Sequence, residues 1–147
     1  MQSRRQLILL VEDNIRDEEL ALAALEDSRV ANDVVVVRDG VEALDFLFGT
    51  GTFEGRNTKE QPQMILLDLK LPKLNGLEVL ERLRADERTE LLPVVILTSS
   101  DEESDLIRSY KLRVNSYIRK PVDFAQFSEA IRQLGLYWLV LNEPLPV

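Results

Sequence analysis

Apolar residues along the chain fall into short runs separated by stretches in which they recur every three or four positions. Leu7 to Val11, Val34 to Val37, Met64 to Leu67 and Val94 to Leu97 are unbroken, and Val114 to Ile118 is a weaker fifth segment. Short continuous runs bounded by polar residues are the mark of strands covered on both faces. Between them lie helical spacings. Ile15, Leu22 and Leu25, with Ala21 and Ala24, predict a helix to about Ser28, capped by Asp13 or Asn14. Its first turn carries Arg16, Asp17, Glu18 and Glu19, mostly acids, as the helix dipole favours. Asp39-Gly40 opens a short helix over Val41 to Phe48, and Leu77, Val79, Leu80 and Leu83 trace a third helix from Gly76 to about Ala85. Ser100 or Asp101 caps a fourth over Glu102 to about Leu112, and Asp123 caps a fifth. Gly49 to Pro62, with three glycines, reads as a long connection with a mobile tip and no assigned task.

Strand and helix alternate over the whole length. That order demands parallel strands with right-handed crossovers, so the expected fold is α/β: a doubly wound, five-stranded parallel sheet with helices on both faces. No repeat or composition break suggests a second domain, and residues 1–147 are expected to form one unit.

Composition then removes whole classes of function. A net charge of −8 argues against a nucleic-acid-binding surface, which needs clustered lysine and arginine. No apolar run approaches the roughly 18 to 20 residues of a membrane span, and the N-terminus lacks the apolar stretch of a signal peptide. Cysteine is absent, which fits a cytoplasmic location and excludes thiolate chemistry. Histidine is absent too, so any metal must be held by oxygen, favouring Mg²⁺, Mn²⁺ or Ca²⁺ over zinc.

The polar residues that end the strands carry the candidate chemistry. Glu12-Asp13 follows the first strand, Asp68 the third, Thr98-Ser99 the fourth and Lys120-Pro121 the fifth. Each alone has an ordinary reading as a cap, turn or surface group. Together they sit at strand ends that a doubly wound sheet gathers along one edge, where such sheets build sites. Two adjacent acids and a third carboxylate, with no imidazole, suit a hard divalent cation. Lys120 supplies a fixed ammonium and Thr98 a hydroxyl. The set predicts a site for a divalent cation and a phosphoryl group on Asp68.

The segments Leu9-Leu10-Val11-Glu12-Asp13-Asn14, Leu66-Leu67-Asp68-Leu69-Lys70-Leu71-Pro72 with Asn75-Gly76, Val95-Ile96-Leu97-Thr98-Ser99 and Tyr117-Ile118-Arg119-Lys120-Pro121 resemble the receiver domain of two-component response regulators. The resemblance covers residues 6 to 135, leaving 136 to 147 as an extension. It implies the flavodoxin-like strand order and a set of roles. Asp68 is then the phosphoacceptor, and Mg²⁺, or Mn²⁺ in its place, is held by Glu12, Asp13, Asp68 and the Lys70 carbonyl. Lys120 contacts the phosphoryl group, Thr98 swings toward it, and Tyr117 reorients into the space Thr98 leaves. Such a protein is a phosphoacceptor that catalyses only its own phosphorylation and dephosphorylation. The long connection before Met64 and the apolar tail with Trp138 are similar to single-domain regulators paired with phytochrome kinases. The implied partners are a sensor histidine kinase of that type and a downstream protein target or phosphotransfer protein. Lys70 is less standard for the family, and its ammonium is expected to pair with unphosphorylated Asp68 or to tune hydrolysis.

Phe124, Phe127, Ile131, Leu134, Trp138 and Leu141 form a helical seam, and past Gly135 the residues Leu136, Tyr137, Leu139 and Val140 make the helix apolar nearly all round. Pro144 and Pro146 end it. A homodimer through the fourth helix, fifth strand and fifth helix is expected, with Phe127, Leu134, Tyr137, Trp138 and Leu139 at its contact. Three rival readings are weaker. A phosphohydrolase using a strand-end aspartate wants a second acid near the nucleophile, which Leu69 and Lys70 do not offer. A flavodoxin-type cofactor binder wants a phosphate loop where Glu12-Asp13 stands. An adaptor that never takes phosphate has no need of the complete set of chemical residues.

Overall fold

The computed structural model describes residues 6–27, 32–120 and 123–135. Strands β1 (Gln6–Val11), β2 (Asn32–Val37), β3 (Met64–Leu67), β4 (Val94–Thr98) and β5 (Ser116–Arg119) alternate with helices α1 (Ile15–Asp27), α2 (Gly40–Phe48), α3 (Gly76–Arg84), α4 (Glu103–Lys111) and α5 (Phe124–Gly135). Every neighbouring strand pair is parallel, in the order β2-β1-β3-β4-β5. This is the doubly wound, flavodoxin-like arrangement expected from the sequence. The chain moves outward from β1 to β2, then crosses back to β3. The strand order therefore reverses between β1 and β3, and such sheets open their binding crevice at that point.

Alternation along each strand builds a core on either face of the sheet. Leu9, Val11, Ile65, Leu67, Val94 and Ile96 pack with Ala43 and Leu47 of α2 and Leu77, Leu80 and Leu83 of α3. Ile8, Leu10, Met64, Leu66, Val95 and Leu97 pack with Ala21, Ala24 and Leu25 of α1 and Phe127 and Ile131 of α5. Phe127 is only 1% exposed. It is thus removed from the expected dimer contact, because its ring fills the space between the sheet and α1. The side chain of Leu134, together with Ser28, Pro121, Tyr137, Trp138, Leu139, Pro144 and Pro146, lies outside the described residues.

Four helix starts are fixed by the residues the sequence offers. Asn14, rather than Asp13, caps α1 by accepting from the Arg16 and Asp17 N–H groups. Asp39, Asn75 and Asp123 cap α2, α3 and α5 in the same way. The start of α4 differs from expectation. Its cap residue is Glu102, with no side-chain bond, while the Ser100 hydroxyl accepts from the Glu102 N–H and donates to Asp105. β5 also begins two residues later than Val114, since Arg113 turns with φ 63° and the Val114 N–H closes back on the Ser109 carbonyl of α4.

Two polar clamps brace the far side of the fold. The Arg84 guanidinium donates to the carbonyls of Leu112 (2.7 Å), Glu90 (2.8 Å), Leu92 (2.9 Å) and Arg113 (3.0 Å), tying α3 to the entry of β4 and the turn after α4. The connection from Gly49 to Pro62 packs against α2. It holds a 3₁₀ turn at Gly51–Phe53, and the Arg56 guanidinium lies 3.8 Å above the Phe46 ring while donating to the Phe46 carbonyl. Gln61 donates to the Leu47 carbonyl, so α2 carries this insertion along its C-terminal end.

Candidate functional site

Strand register sets the acids side by side. Val11 pairs with Leu67, and the ladder runs one residue further through the Asp68 N–H to the Val11 carbonyl. Glu12 and Asp68 therefore emerge together at the reversal point of the sheet. The Lys120 N–H bonds the Thr98 carbonyl at 2.7 Å, extending the β4–β5 ladder in the same sense. A glycine fixes the loop that carries Asp68: a Cβ on Gly76 would stand 2.3 Å from the Asp68 carbonyl oxygen. Only hydrogen fits where α3 starts against that loop.

The side chains converge. The Lys120 ammonium, with its side chain 11% exposed, lies 2.6 Å from Glu12 Oε1, 2.8 Å from Asp17 Oδ2 and 3.2 Å from Asp68 Oδ2. Glu12 also accepts from the Asn14 N–H, and Asp68 Oδ1 from the Lys70 N–H at 3.1 Å. Glu12 and Asp68 are buried, and Asp13 is exposed. One carboxylate oxygen from each of Glu12, Asp13 and Asp68 lies within 4.8 Å of the others. This all-oxygen set, open on the Asp13 side, fits a hard divalent cation.

Burial pushes the Glu12 carboxyl up to about 7, helped by the Asp68 charge and opposed by the Lys120 ammonium and the Asn14 N–H. For Lys120, burial acts downward, but the bonds to Asp17 and Glu12 and the Asp68 charge outweigh it and hold the ammonium well above the usual lysine range. The lysine is thus firmly protonated, and the excess negative charge of the cluster is relieved at Glu12.

The other expected residues lie around this centre. Thr98 is fully buried at the end of β4, and its hydroxyl accepts from the Ser100 N–H at 3.2 Å. The Tyr117 hydroxyl is buried without a hydrogen-bond partner among the described residues, and burial raises its phenol above the ordinary value. The Lys70 ammonium does not make the expected pair with Asp68. It is the Lys70 backbone N–H that reaches Asp68, while its side chain is exposed and the ammonium paired with Asp68 is that of Lys120. Asp17 escaped the reading of the sequence, where it passes as one more first-turn acid. No periodicity marks it, because Asp13 lies before the cap Asn14 and outside the helix.

Residues 8–132 match the family model of the response regulator receiver domain. The chain belongs to the response regulator receiver family. It is 37% identical over 134 residues to response regulator Rcp1 of Synechocystis sp., covering 91% of this chain and 89% of that protein. Among solved structures, the phosphorylated cyanobacterial phytochrome response regulator RcpA aligns with a TM-score of 0.85 at 38% identity, covering 95% of this receiver and 98% of RcpA. The bacteriophytochrome response regulator RtBRR is 56% identical, with a TM-score of 0.79 over 97% of this chain and 86% of its own. A receiver accepts a phosphoryl group on an aspartate with the help of a divalent cation, and its donor is a histidine kinase. Among the described residues no helix is long and apolar enough to cross a membrane.

Proposed function

We propose that this receiver takes its phosphoryl group on Asp68 from a phytochrome-type histidine kinase in the cytoplasm, and passes the signal on by protein contact or by relay to a phosphotransfer protein. The observation that carries the reading is the Lys120 ammonium, held against Glu12 and Asp68 beside an oxygen cluster that fits a divalent cation. Similarity to regulators of cyanobacterial and bacterial phytochromes supports the kinase class. An Asp68 oxygen attacks the donor phosphorus, the phosphorus–nitrogen bond of the phosphohistidine breaks, and the imidazole leaves. Glu12, Asp13, Asp68 and the Lys70 carbonyl would hold Mg²⁺ or Mn²⁺. The bound cation would offset charge on the transferring group and align it. Lys120 then meets a phosphoryl oxygen, and hydrolysis at the same centre returns the carboxylate. Thr98, whose hydroxyl accepts from the Ser100 N–H, keeps its O–H to donate to the new oxygens. The Tyr117 hydroxyl, buried beside Ser100 and without a hydrogen bond among the described residues, would follow. Differential contact of this kind is what shifts a population. Borohydride trapping after incubation with acetyl phosphate and Mg²⁺, followed by peptide mapping, tests the assignment. A label on any residue other than Asp68 overturns it.

Cation affinity will depend on pH through Glu12. The folded protein keeps a proton there between the ordinary value of 4.5 and about 7, where the unfolded chain has lost it. Metal-free stability therefore falls as pH rises through that window. Cation binding needs the ionised carboxylate, so it expels the proton. Below about 7, titration calorimetry should find the Mg²⁺ dissociation constant falling up to about tenfold per unit rise in pH, then levelling off. A constant that is flat from pH 5.5 to 8 contradicts this.

The receiver core of residues 6–135 continues into residues 136–147, and this extension serves as a dimer contact with the face of α4, β5 and α5. Exposed Ile107 and Tyr110 on α4, and exposed Phe124 at the start of α5, support an apolar interface there. Light scattering of the doubly substituted Trp138→Ser, Leu139→Ser protein is expected to report half the native mass. An unchanged mass rejects the dimer through this tail.

A further inference from the structure

The proposed site must hold two cations at once, a divalent ion and the Lys120 ammonium, and they repel each other. An ammonium has three N–H donors, and Lys120 has three carboxylate partners at hydrogen-bond distance: Glu12, Asp17 and Asp68. Glu12 and Asp68 belong to the oxygen cluster that fits the cation, together with Asp13, and Asp17 does not. Asp17 stands apart because it comes from the first turn of α1, where Asn14 fixes the backbone by capping the Asp17 N–H. Its carboxylate is partly exposed and reaches the lysine from the solvent side at 2.8 Å.

From this geometry we infer that Asp17 is a positioning residue that keeps Lys120 in the site once Glu12 and Asp68 are engaged by the divalent cation. Without the cation, Glu12 and Asp68 share the lysine with Asp17, at 2.6 Å and 3.2 Å. With it, both cluster carboxylates lend their charge elsewhere, and Asp17 is the partner left whole. Its negative charge also offsets the repulsion between the two cations. Phosphoryl transfer then finds Lys120 already placed, one N–H from an oxygen on Asp68. The inference rests on the cation reading of the cluster and deepens it.

The test reads the lysine itself. The ¹H–¹⁵N signal of the Lys120 ammonium, assigned with Lys120→Arg, is followed by NMR during Mg²⁺ titration of wild type, Asp17→Asn and Asp17→Glu. Wild type should keep a slowly exchanging ammonium signal throughout. Asp17→Asn should keep it without Mg²⁺ and lose it to solvent exchange as the site fills, while its dissociation constant for Mg²⁺ rises about three- to tenfold. Asp17→Glu, which retains the charge, should restore the signal at saturating Mg²⁺. A merely structural role for Asp17 would give the same signal with and without the ion. An Asp17→Asn protein that binds Mg²⁺ and keeps the ammonium signal overturns the inference and leaves the cation site standing. A wild-type protein whose Glu12 and Asp68 carboxylate resonances ignore Mg²⁺ overturns the cation reading, and this inference with it.

Discussion

Asp68→Asn will take up no phosphoryl group from acetyl phosphate and Mg²⁺, read as complete loss of the shifted band on a phosphate-affinity gel, while wild type shifts. The effect is all-or-none because a covalent bond is at stake. The carboxylate is the nucleophile, and a neutral amide oxygen neither attacks phosphorus at a useful rate nor shares the charge of a cation. Folding should survive the change. An asparagine oxygen still accepts the Lys70 N–H now bonded to Asp68 Oδ1, and Lys120 keeps Glu12 and Asp17. Residual uptake would mean that another carboxylate accepts phosphate, and Asp13 is the exposed alternative within the cluster.

The largest loss of stability outside the apolar cores is expected at Arg84. Asp68 and Lys120 matter to chemistry, but Arg84 closes four backbone carbonyls from two segments with one planar group. Burial lowers its guanidinium, with nearby Arg113 acting in the same direction, so the charge is held at some cost and is compensated by those carbonyls. Arg84→Ala removes all the donors and the packed stem together, and should lower the unfolding free energy by about 3 kcal/mol. Arg84→Lys keeps the charge but not the fork and should recover less than about half. Urea denaturation measures both. A shifted midpoint with an unchanged slope is the expected pattern, and a loss below about 1 kcal/mol would mean that water replaces the guanidinium without penalty.

Much of the fold was legible because the sheet is buried on both faces. A strand with no exposed side writes a continuous apolar run, and the residue that ends the run is the one that leaves the core. Glu12, Asp68, Thr98 and Lys120 were visible for that reason. Phe127 was not read correctly, because a seam at three- and four-residue spacing states that a helix has an apolar side and not what covers it. In the structure α1 and the sheet cover it. Asp17 was hidden by the opposite problem. A first-turn acid is favoured by the helix dipole alone, and only the seating of α1 against the end of β1 brings it to Lys120. The insertion between α2 and β3 shows as a long glycine-bearing connection in the sequence, but its contacts with α2 do not. Here Gly49 takes a left-handed turn with φ 67°, which returns the chain along α2 and lets Arg56 stack on Phe46.

The pairing of α1 with α5 bears on how the protein is made. α1 leaves the ribosome early, yet Ala21, Ala24 and Leu25 are buried partly by Phe127 and Ile131, more than a hundred residues later. β1 likewise lies in mid-sheet and waits for β3 before its second edge is paired. During synthesis the first half of the chain therefore carries an open sheet edge and an unclosed apolar face, and neither can be finished locally. Nascent chains arrested before Phe127 should engage holding chaperones and yield to protease, and those extended far enough for α5 to emerge should not.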